Sequence, residues 1–99
     1  MRRDNPMKTK FLVVIERGDS NYSAYSPDVP GCVVAGVTVE ETLVNMRSAL
    51  EFHIEGMAEQ GEPLPAPQTL NFYVQNTDEI SSDDILAHVV IDTPEMALA

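Results

Sequence analysis

The sequence predicts a single α+β domain with the element order β-β-β-α-β. Three observations predict it: an unbroken apolar run at 11–15, turn clusters at 18–21 and 27–31, and a stretch, 39–60, whose apolar residues recur with helical spacing. A chain of 99 residues has the length of one domain, so 1–99 is treated as one. With 43% apolar residues and no Trp, the core is small. We therefore expect a homodimer or a higher homo-oligomer to supplement it.

The first predicted strand, residues 10–17, carries apolar side chains on both faces, which favours a position inside a covered sheet. Residues 1–7 precede it as an expected disordered lead-in. Beyond the first turn cluster, alternation at 22–26 predicts a second strand and hence a hairpin. Residues 32–37 are expected to form the third strand.

The segment between the second and third strands suits a type II turn at Val29-Pro30-Gly31-Cys32. Proline presets φ at the second position, and glycine takes the third, where φ is positive. In this structural interpretation Cys32 is a small buried hydrophobic residue. The alternative makes 27–32 a partner-recognition loop. A single cysteine excludes an internal disulfide and a zinc site built on thiolates.

The long helix is expected to begin with a capping box at Thr38-Val39-Glu40-Glu41, in which the Thr38 hydroxyl accepts from Glu41 N–H and the Glu41 carboxylate reaches back to Thr38. Gly61 is suited to follow the helix as its C′ residue. The Pro-rich link at 62–68 cannot continue the helix. The core-facing stripe of the helix consists of Val39, Leu43, Met46, Leu50, Ile54 and Met57.

The remaining chain is expected to hold a short helix at 70–75 capped by Thr69, a loop at 76–84 and a last strand at 85–92. A right-handed crossover through the long helix would lay the last strand parallel to the first. The prediction is therefore a mixed sheet of order 3-2-1-4 with one long helix on one face. The opposite face is covered by less of the chain and is a candidate dimer surface.

Charge divides the chain in two. Residues 1–47 hold six basic and six acidic residues, whereas residues 48–99 hold ten acidic residues and no Lys or Arg, which gives the whole chain its net charge of -10. Such a surface repels nucleic acid and favours a basic protein partner, although a solubilising role explains it equally well. No apolar run is long enough for a bilayer and no signal peptide is visible, so we expect a cytoplasmic protein without membrane contact.

An acidic ridge recurs along the predicted helix at Glu51, Glu55 and Glu59. Like charges at this spacing repel and do not help the helix. Phe52 lies beside them on the predicted solvent side. An exposed aromatic residue next to acidic side chains is suited to anchor a basic partner. The plainer interpretation is a solvated helix face with one stray aromatic residue.

An enzyme is the weaker alternative. Glu16, Asp28 and Glu41 are carboxylates of the kind that hold Mg²⁺ in nucleases, but their places at a strand end, in a turn and in the capping box favour structural roles. His53 lies near the edge of the helix core stripe, and His88 lies in a strand without a nucleophilic neighbour. We predict no catalytic residue, no metal site and no cofactor.

The string Tyr25-Ser26-Pro27-Asp28-Val29-Pro30-Gly31-Cys32, preceded by a strand, resembles the signature of HicB-like antitoxins. So do Ala35-Gly36, the capped helix start at 38–49, reading T-V-E-E-T-L-V-N-M-R-S-A, and the exit at 61–67, so the resemblance covers roughly residues 8–67. It implies a partial RNase H-like fold and an antitoxin that neutralises a small basic HicA-type toxin, which cleaves messenger RNA, by occluding it.

The family often adds a C-terminal DNA-binding module, and no basic residue follows position 47 here, so direct DNA binding is not expected. An orphan adaptor domain without a toxin is the remaining alternative. The candidate partner-binding residues are Tyr25, Asp28, Pro30, Gly31, Cys32, Glu51, Phe52, Glu55 and Glu59.

Overall fold

A computed structural model describes residues 6–67 and 70–94. The elements are β1 (Pro6–Arg17), β2 (Tyr22–Tyr25), β3 (Val33–Gly36), α1 (Val39–Glu59), α2 (Leu70–Gln75) and β4 (Ile85–Pro94). Their order and types confirm the α+β prediction. Strand β1 begins at Pro6, earlier than predicted, so Pro6 and Met7 of the expected lead-in are part of the sheet. Residues 1–5 and the predicted capping residue Thr69 lie outside the described residues.

The four strands form one sheet in the order β3-β2-β1-β4, as predicted. Every neighbouring pair is antiparallel, including β1 with β4, in which Ile15 lies opposite Ile85 and Lys8 lies opposite Asp92. The predicted mixed sheet, with its last strand parallel to the first, is therefore wrong.

The path of the chain after α1 explains the reversal of β4. Strand β3 ends at Gly36, opposite Tyr22 and thus at the Arg17 end of β1, so α1 starts at that end. Leu64 still packs in the core under α1, whereas Tyr73 packs on the other face. The chain thus changes faces and returns along the second face before β4 starts. The handedness rule for a direct crossover on one face does not apply to this route.

Strand β1 is buried on both faces, as its unbroken apolar run predicted. Phe11, Val13 and Ile15 point into the main core beneath α1, and Leu12 and Val14 point to the second face. The main core also contains Ala24, Val29, Cys32, Met46, Leu50, Ile54, Leu64, Val89 and Ile91. The second face has a smaller cluster, covered by Tyr73 of α2 and flanked by Tyr25, Ile80 and Leu86.

The start of α1 follows the predicted capping box with one change. The Thr38 hydroxyl accepts from the Glu41 N–H at 3.0 Å, as predicted. The Glu41 carboxylate, however, accepts from the N–H of Val37 at 2.7 Å and not from Thr38. Thr38 itself has the extended backbone of an N-cap residue, with φ −124° and ψ 165°. The first bond satisfies an N–H that the start of the helix leaves free, and the second joins the residue before the cap to the first turn.

The end of α1 is a Schellman motif. Gly61 has φ 73°, a conformation that favours glycine. Its N–H donates to Ala58 C=O at 3.1 Å, and Glu62 N–H donates to Met57 C=O at 2.9 Å. The helix therefore ends where predicted, and its predicted core stripe contacts the main core throughout.

Candidate functional site

In the segment after β2, two side chains make the hydrogen bonds to β1 that a neighbouring strand would otherwise make. Strand β2 ends at Tyr25, which lies opposite Val14 of β1. Leu12 of β1 therefore has no strand partner on the β2 side. The Asp28 carboxylate accepts from Leu12 N–H at 2.9 Å, and the Ser26 hydroxyl donates to Leu12 C=O at 2.7 Å. Both side chains are buried. Asp28 therefore satisfies buried backbone and is not displayed to a partner.

The next residues form the predicted type II turn. Gly31 has φ 90°, and Cys32 N–H donates to Val29 C=O at 3.2 Å. Pro30 and Gly31 are exposed at the tip of the turn. Cys32 is buried with its Sγ 3.7 Å from the Met46 Sδ, and burial raises the pKa of its thiol. Of the turn residues, only the tip is accessible to a partner.

Tyr25 links β2 to α2 on the second face of the sheet. Its hydroxyl shares a 3.1 Å hydrogen bond with the hydroxyl of Tyr73. Burial, and then this hydrogen bond, raise the pKa of Tyr25. The bond fixes α2 over the second face, so Tyr25 is half-buried and only part of its ring is accessible. Sequence reasoning missed this role of Tyr73, because its short helix consists of mediocre helix formers.

The acidic ridge Glu51, Glu55 and Glu59 is exposed along α1. Phe52 is 79% exposed, the largest exposed fraction of any large apolar side chain among the described residues. At about 100° per residue, Phe52 points away from the buried stripe that contains Leu50. The structure thus brings an accessible aromatic ring and three carboxylates to the solvent side of one helix.

Two side chains of α1 reach the two edges of the sheet, a feature that sequence reasoning missed. Asn45 donates to Ala35 C=O on β3 at 2.8 Å, and Arg47 donates to Val90 C=O on β4. The two residues project from opposite flanks of the helix, since two positions correspond to about 200°. Unpaired backbone groups on edge strands favour pairing with strands of other chains, and each of these two hydrogen bonds satisfies one such carbonyl.

The enzymatic alternative gains no support from the arrangement. Among residues 6–67 and 70–94, no group of three or more His, Cys, Asp or Glu side chains is placed to hold a metal ion. The carboxylates of Asp28 and Glu41 accept hydrogen bonds from the backbone N–H groups of Leu12 and Val37. His53 is half-buried, and His88 is exposed on β4. Within the described part of the chain, no helix is both long and apolar enough to cross a membrane.

Fold and surface together define a small α+β domain in which one antiparallel sheet carries one long acidic helix. The family model described as HicB-like antitoxin of bacterial toxin–antitoxin systems matches residues 11–98. The chain belongs to this family. The resemblance inferred from its turn and helix motifs is confirmed.

Curated relatives agree with this placement. A protein of Haemophilus phage HP1, from the rep-hol intergenic region, is 39% identical over 68 residues. These are 69% of this chain but 51% of the phage protein, so the chain spans about half the length of that relative. A UPF0150 protein of Thermoplasma acidophilum is 32% identical over 57 residues, 57% of this chain and 83% of its own length.

Solved structures show the same fold. The N-terminal domain of Burkholderia pseudomallei antitoxin HicB superposes with a TM-score of 0.75 at 27% identity, covering 85% of this chain and 99% of that one. A HicA3–HicB3 toxin–antitoxin complex gives a TM-score of 0.67 at 28% identity, covering 82% of this chain and 95% of the matched chain. Antitoxin HicB3 alone gives 0.71 at 28% identity, covering 92% of this chain and 67% of its own.

Proposed function

We propose that this protein is an antitoxin module that binds a basic, RNA-cleaving toxin and neutralises it by covering its working surface. The observation that carries the proposal is the exposed Phe52 ring within the acidic ridge Glu51, Glu55 and Glu59. A rigid helix presents this set, and an aromatic anchor among charged residues is typical of binding hot spots. Binding without catalysis, in the cytoplasm, is the role that follows.

Charge supports the choice of a basic partner. The half of the chain after position 47 has ten acidic residues and no Lys or Arg, and one of the ten, Asp92, pairs with Lys8 at 2.9 Å. The acidic residues therefore attract a cationic protein over distances of about a Debye length, roughly 8 Å at physiological salt. The same field repels phosphates, so we do not expect this domain to hold DNA or RNA itself.

The exposed partner-binding candidates are Pro30, Gly31, Glu51, Phe52, Glu55 and Glu59, together with part of Tyr25. The buried Asp28 and Cys32 act by shaping the turn. Homo-oligomerisation also stays a prediction, for which sedimentation equilibrium of the purified chain is the direct measurement.

The test is an RNA-cleavage assay with a HicA-type toxin, for which a short basic reading frame beside that of this chain is the first candidate. Adding the purified chain should stop cleavage at about one equivalent per toxin. The chain alone, with Mg²⁺ or Mn²⁺, should leave the RNA intact. Cleavage that continues at saturating amounts of the chain would reject the proposal, and so would RNA degradation by the chain itself.

Phe52 allows a sharper prediction. Truncating a central aromatic anchor typically costs 2 kcal/mol or more of binding, so Phe52→Ala should weaken toxin binding by roughly thirtyfold. The ring is exposed, so the midpoint of urea unfolding should stay unchanged. Calorimetry measures the affinity. Val37→Ala is the matched control, because Val37 is 69% exposed but precedes the helix, and it should bind as the native chain does. If Phe52→Ala binds the toxin as tightly as Val37→Ala, Phe52 is not part of the interface.

A further inference from the structure

The pairing of β4 with β1 determines which backbone groups of β4 point outward. Asp28 and Ser26 bond to the backbone of Leu12 from the β2 side, so Leu12 points its N–H and C=O away from β4. Leu12 lies opposite His88, and the two residues of a non-hydrogen-bonded antiparallel pair point away from each other. The backbone groups of Leu86, His88 and Val90 therefore point outward. The contact of Arg47 with Val90 C=O agrees with this assignment.

This edge carries little of the usual protection against strand addition. Edge strands are normally kept short, charged or interrupted by proline. Strand β4 has ten residues, and the seven from 85 to 91 include no Asp, Glu, Lys, Arg or Pro. Arg47 closes the Val90 carbonyl, but no residue in the described part of the chain bonds to the outward groups of Leu86 or His88. The opposite edge strand, β3, has only four residues.

Resting on the proposed function, we infer that the outer edge of β4 takes up an extended, basic segment of the toxin as an additional strand. Backbone hydrogen bonds to Leu86 and His88 would hold it, in the mode by which sheets bind extended peptides.

Acidic residues flank this edge. Glu51 follows Arg47 by four positions, so both project from the same flank of α1. Asp83 and Asp84 directly precede the strand.

The same charges argue against a second copy of this chain at the edge. A symmetric antiparallel pairing centred on His88 would place Asp84 of one copy opposite Asp92 of the other, twice, a repulsion that Lys8, 2.9 Å from Asp92, offsets in part. Like charges directly opposite each other in a ladder destabilise the pairing. A basic segment bound at Leu86 and His88 would instead meet Asp83 and Asp84 at the start of β4, before Val90, where Arg47 bonds to the edge.

A proline at an outward position provides the test. His88→Pro removes the outward N–H and places a ring where the added strand would lie, while the β1–β4 hydrogen bonds use other residues. Toxin affinity, measured by calorimetry, should fall at least roughly tenfold, the loss expected of a hydrogen bond and close approach at a buried edge.

Two controls separate the edge from the side chain and from the fold. His88→Thr keeps the N–H and should bind as the native chain does. Val33→Pro is the matched change on the other edge: Val33 lies two residues before Ala35, whose carbonyl points outward to Asn45, and it should also leave binding unchanged. Hydrogen exchange gives a variant-free readout, in which the Leu86 and His88 amides should exchange fast in the free protein and slowly in the complex.

The outcomes are distinct. Weak binding by His88→Pro alone, with new protection at Leu86 and His88, supports the inference. Full affinity of His88→Pro, loss in Val33→Pro, or unchanged exchange at both amides overturns it while the antitoxin role stands. Absence of toxin binding by the native chain would defeat the antitoxin role itself.

Discussion

Asp28 shows how one side chain can stand in for a strand. The residue is 6% exposed, and its carboxylate accepts a hydrogen bond from the N–H of Leu12 in the middle of a strand buried on both faces. A buried amide without a partner costs free energy, so the short β2 strand is tolerated only because the following turn brings a carboxylate to this position. The Pro-Gly turn after Asp28 sets that position, and this explains the motif in structural terms.

Replacing Asp28 should therefore destabilise the fold. Asp28→Ala leaves Leu12 N–H unsatisfied, and we expect the free energy of unfolding to fall by about 1–3 kcal/mol in urea titrations. Asp28→Asn keeps an acceptor oxygen and should lose less. Asp19→Ala, in the exposed first turn, is the control and should stay within about 0.5 kcal/mol of the native chain. An Asp28→Ala protein as stable as the control would show that the carboxylate is dispensable.

At the scale of elements, α1 is matched closely to the sheet that it covers. Strand β3 meets the first turn of α1 so tightly that a Cβ on Gly36 would lie 2.7 Å from the backbone N of Thr42. Thr42 is fully buried, and its hydroxyl donates to Thr38 C=O at 2.7 Å. Glycine at position 36 is therefore a requirement of close approach and not of backbone conformation.

Two glycine substitutions should change the stability of the protein in opposite directions. Gly36→Ala forces β3 and the start of α1 apart and should destabilise the protein by about 1–3 kcal/mol, the range for overpacked sites. Gly56→Ala lies within α1, where an added Cβ meets nothing within 4 Å, and should stabilise it by up to about 1 kcal/mol through helix propensity. Thermal unfolding of the two variants side by side decides the matter. A Gly36→Ala protein at least as stable as the native chain would mean that β3 and α1 have room to separate.

For the molecule as a whole, the sequence predicted what depends on local patterns. The apolar run of β1, the type II turn at Gly31 and the helix ends at Thr38 and Gly61 each depend on a few neighbouring residues, and all were correct. The direction of β4 was not, because it depends on where the chain crosses the sheet. That crossing is decided by contacts far apart in sequence, such as the hydrogen bond between Tyr25 and Tyr73.

The surface was predictable to a similar extent. Exposure of Phe52 and the acidic ridge followed from helical periodicity alone. The burial of Asp28 did not, since its partner Leu12 is 16 residues away and lies in another strand. The contacts of Asn45 and Arg47 with the sheet edges were equally invisible, because their partners are determined by the position of α1 on the sheet and not by any pattern within the helix.

The distribution of charge over the whole molecule leads to a prediction about association rate. Replacing Glu51, Glu55 and Glu59 together by Gln should slow toxin association by roughly threefold to tenfold at low salt and flatten its salt dependence, because steering depends on charge near the contact. Stopped-flow association over a range of NaCl concentrations measures both. The variant should be no less stable than the native chain, since each like-charge pair at this spacing costs about 0.2–0.5 kcal/mol.

A second triple variant removes the same net charge elsewhere. Glu16→Gln, Asp19→Asn and Glu40→Gln lie in exposed positions before the ridge, on β1, in the first turn and in the first turn of α1. If the ridge contacts the toxin, this variant should associate at nearly the native rate at about 0.15 M salt, because charges more than a Debye length, roughly 8 Å, from the contact are then largely screened. If both variants slow association equally, the association rate depends only on the total charge of the domain, and the toxin does not bind at the acidic face of α1.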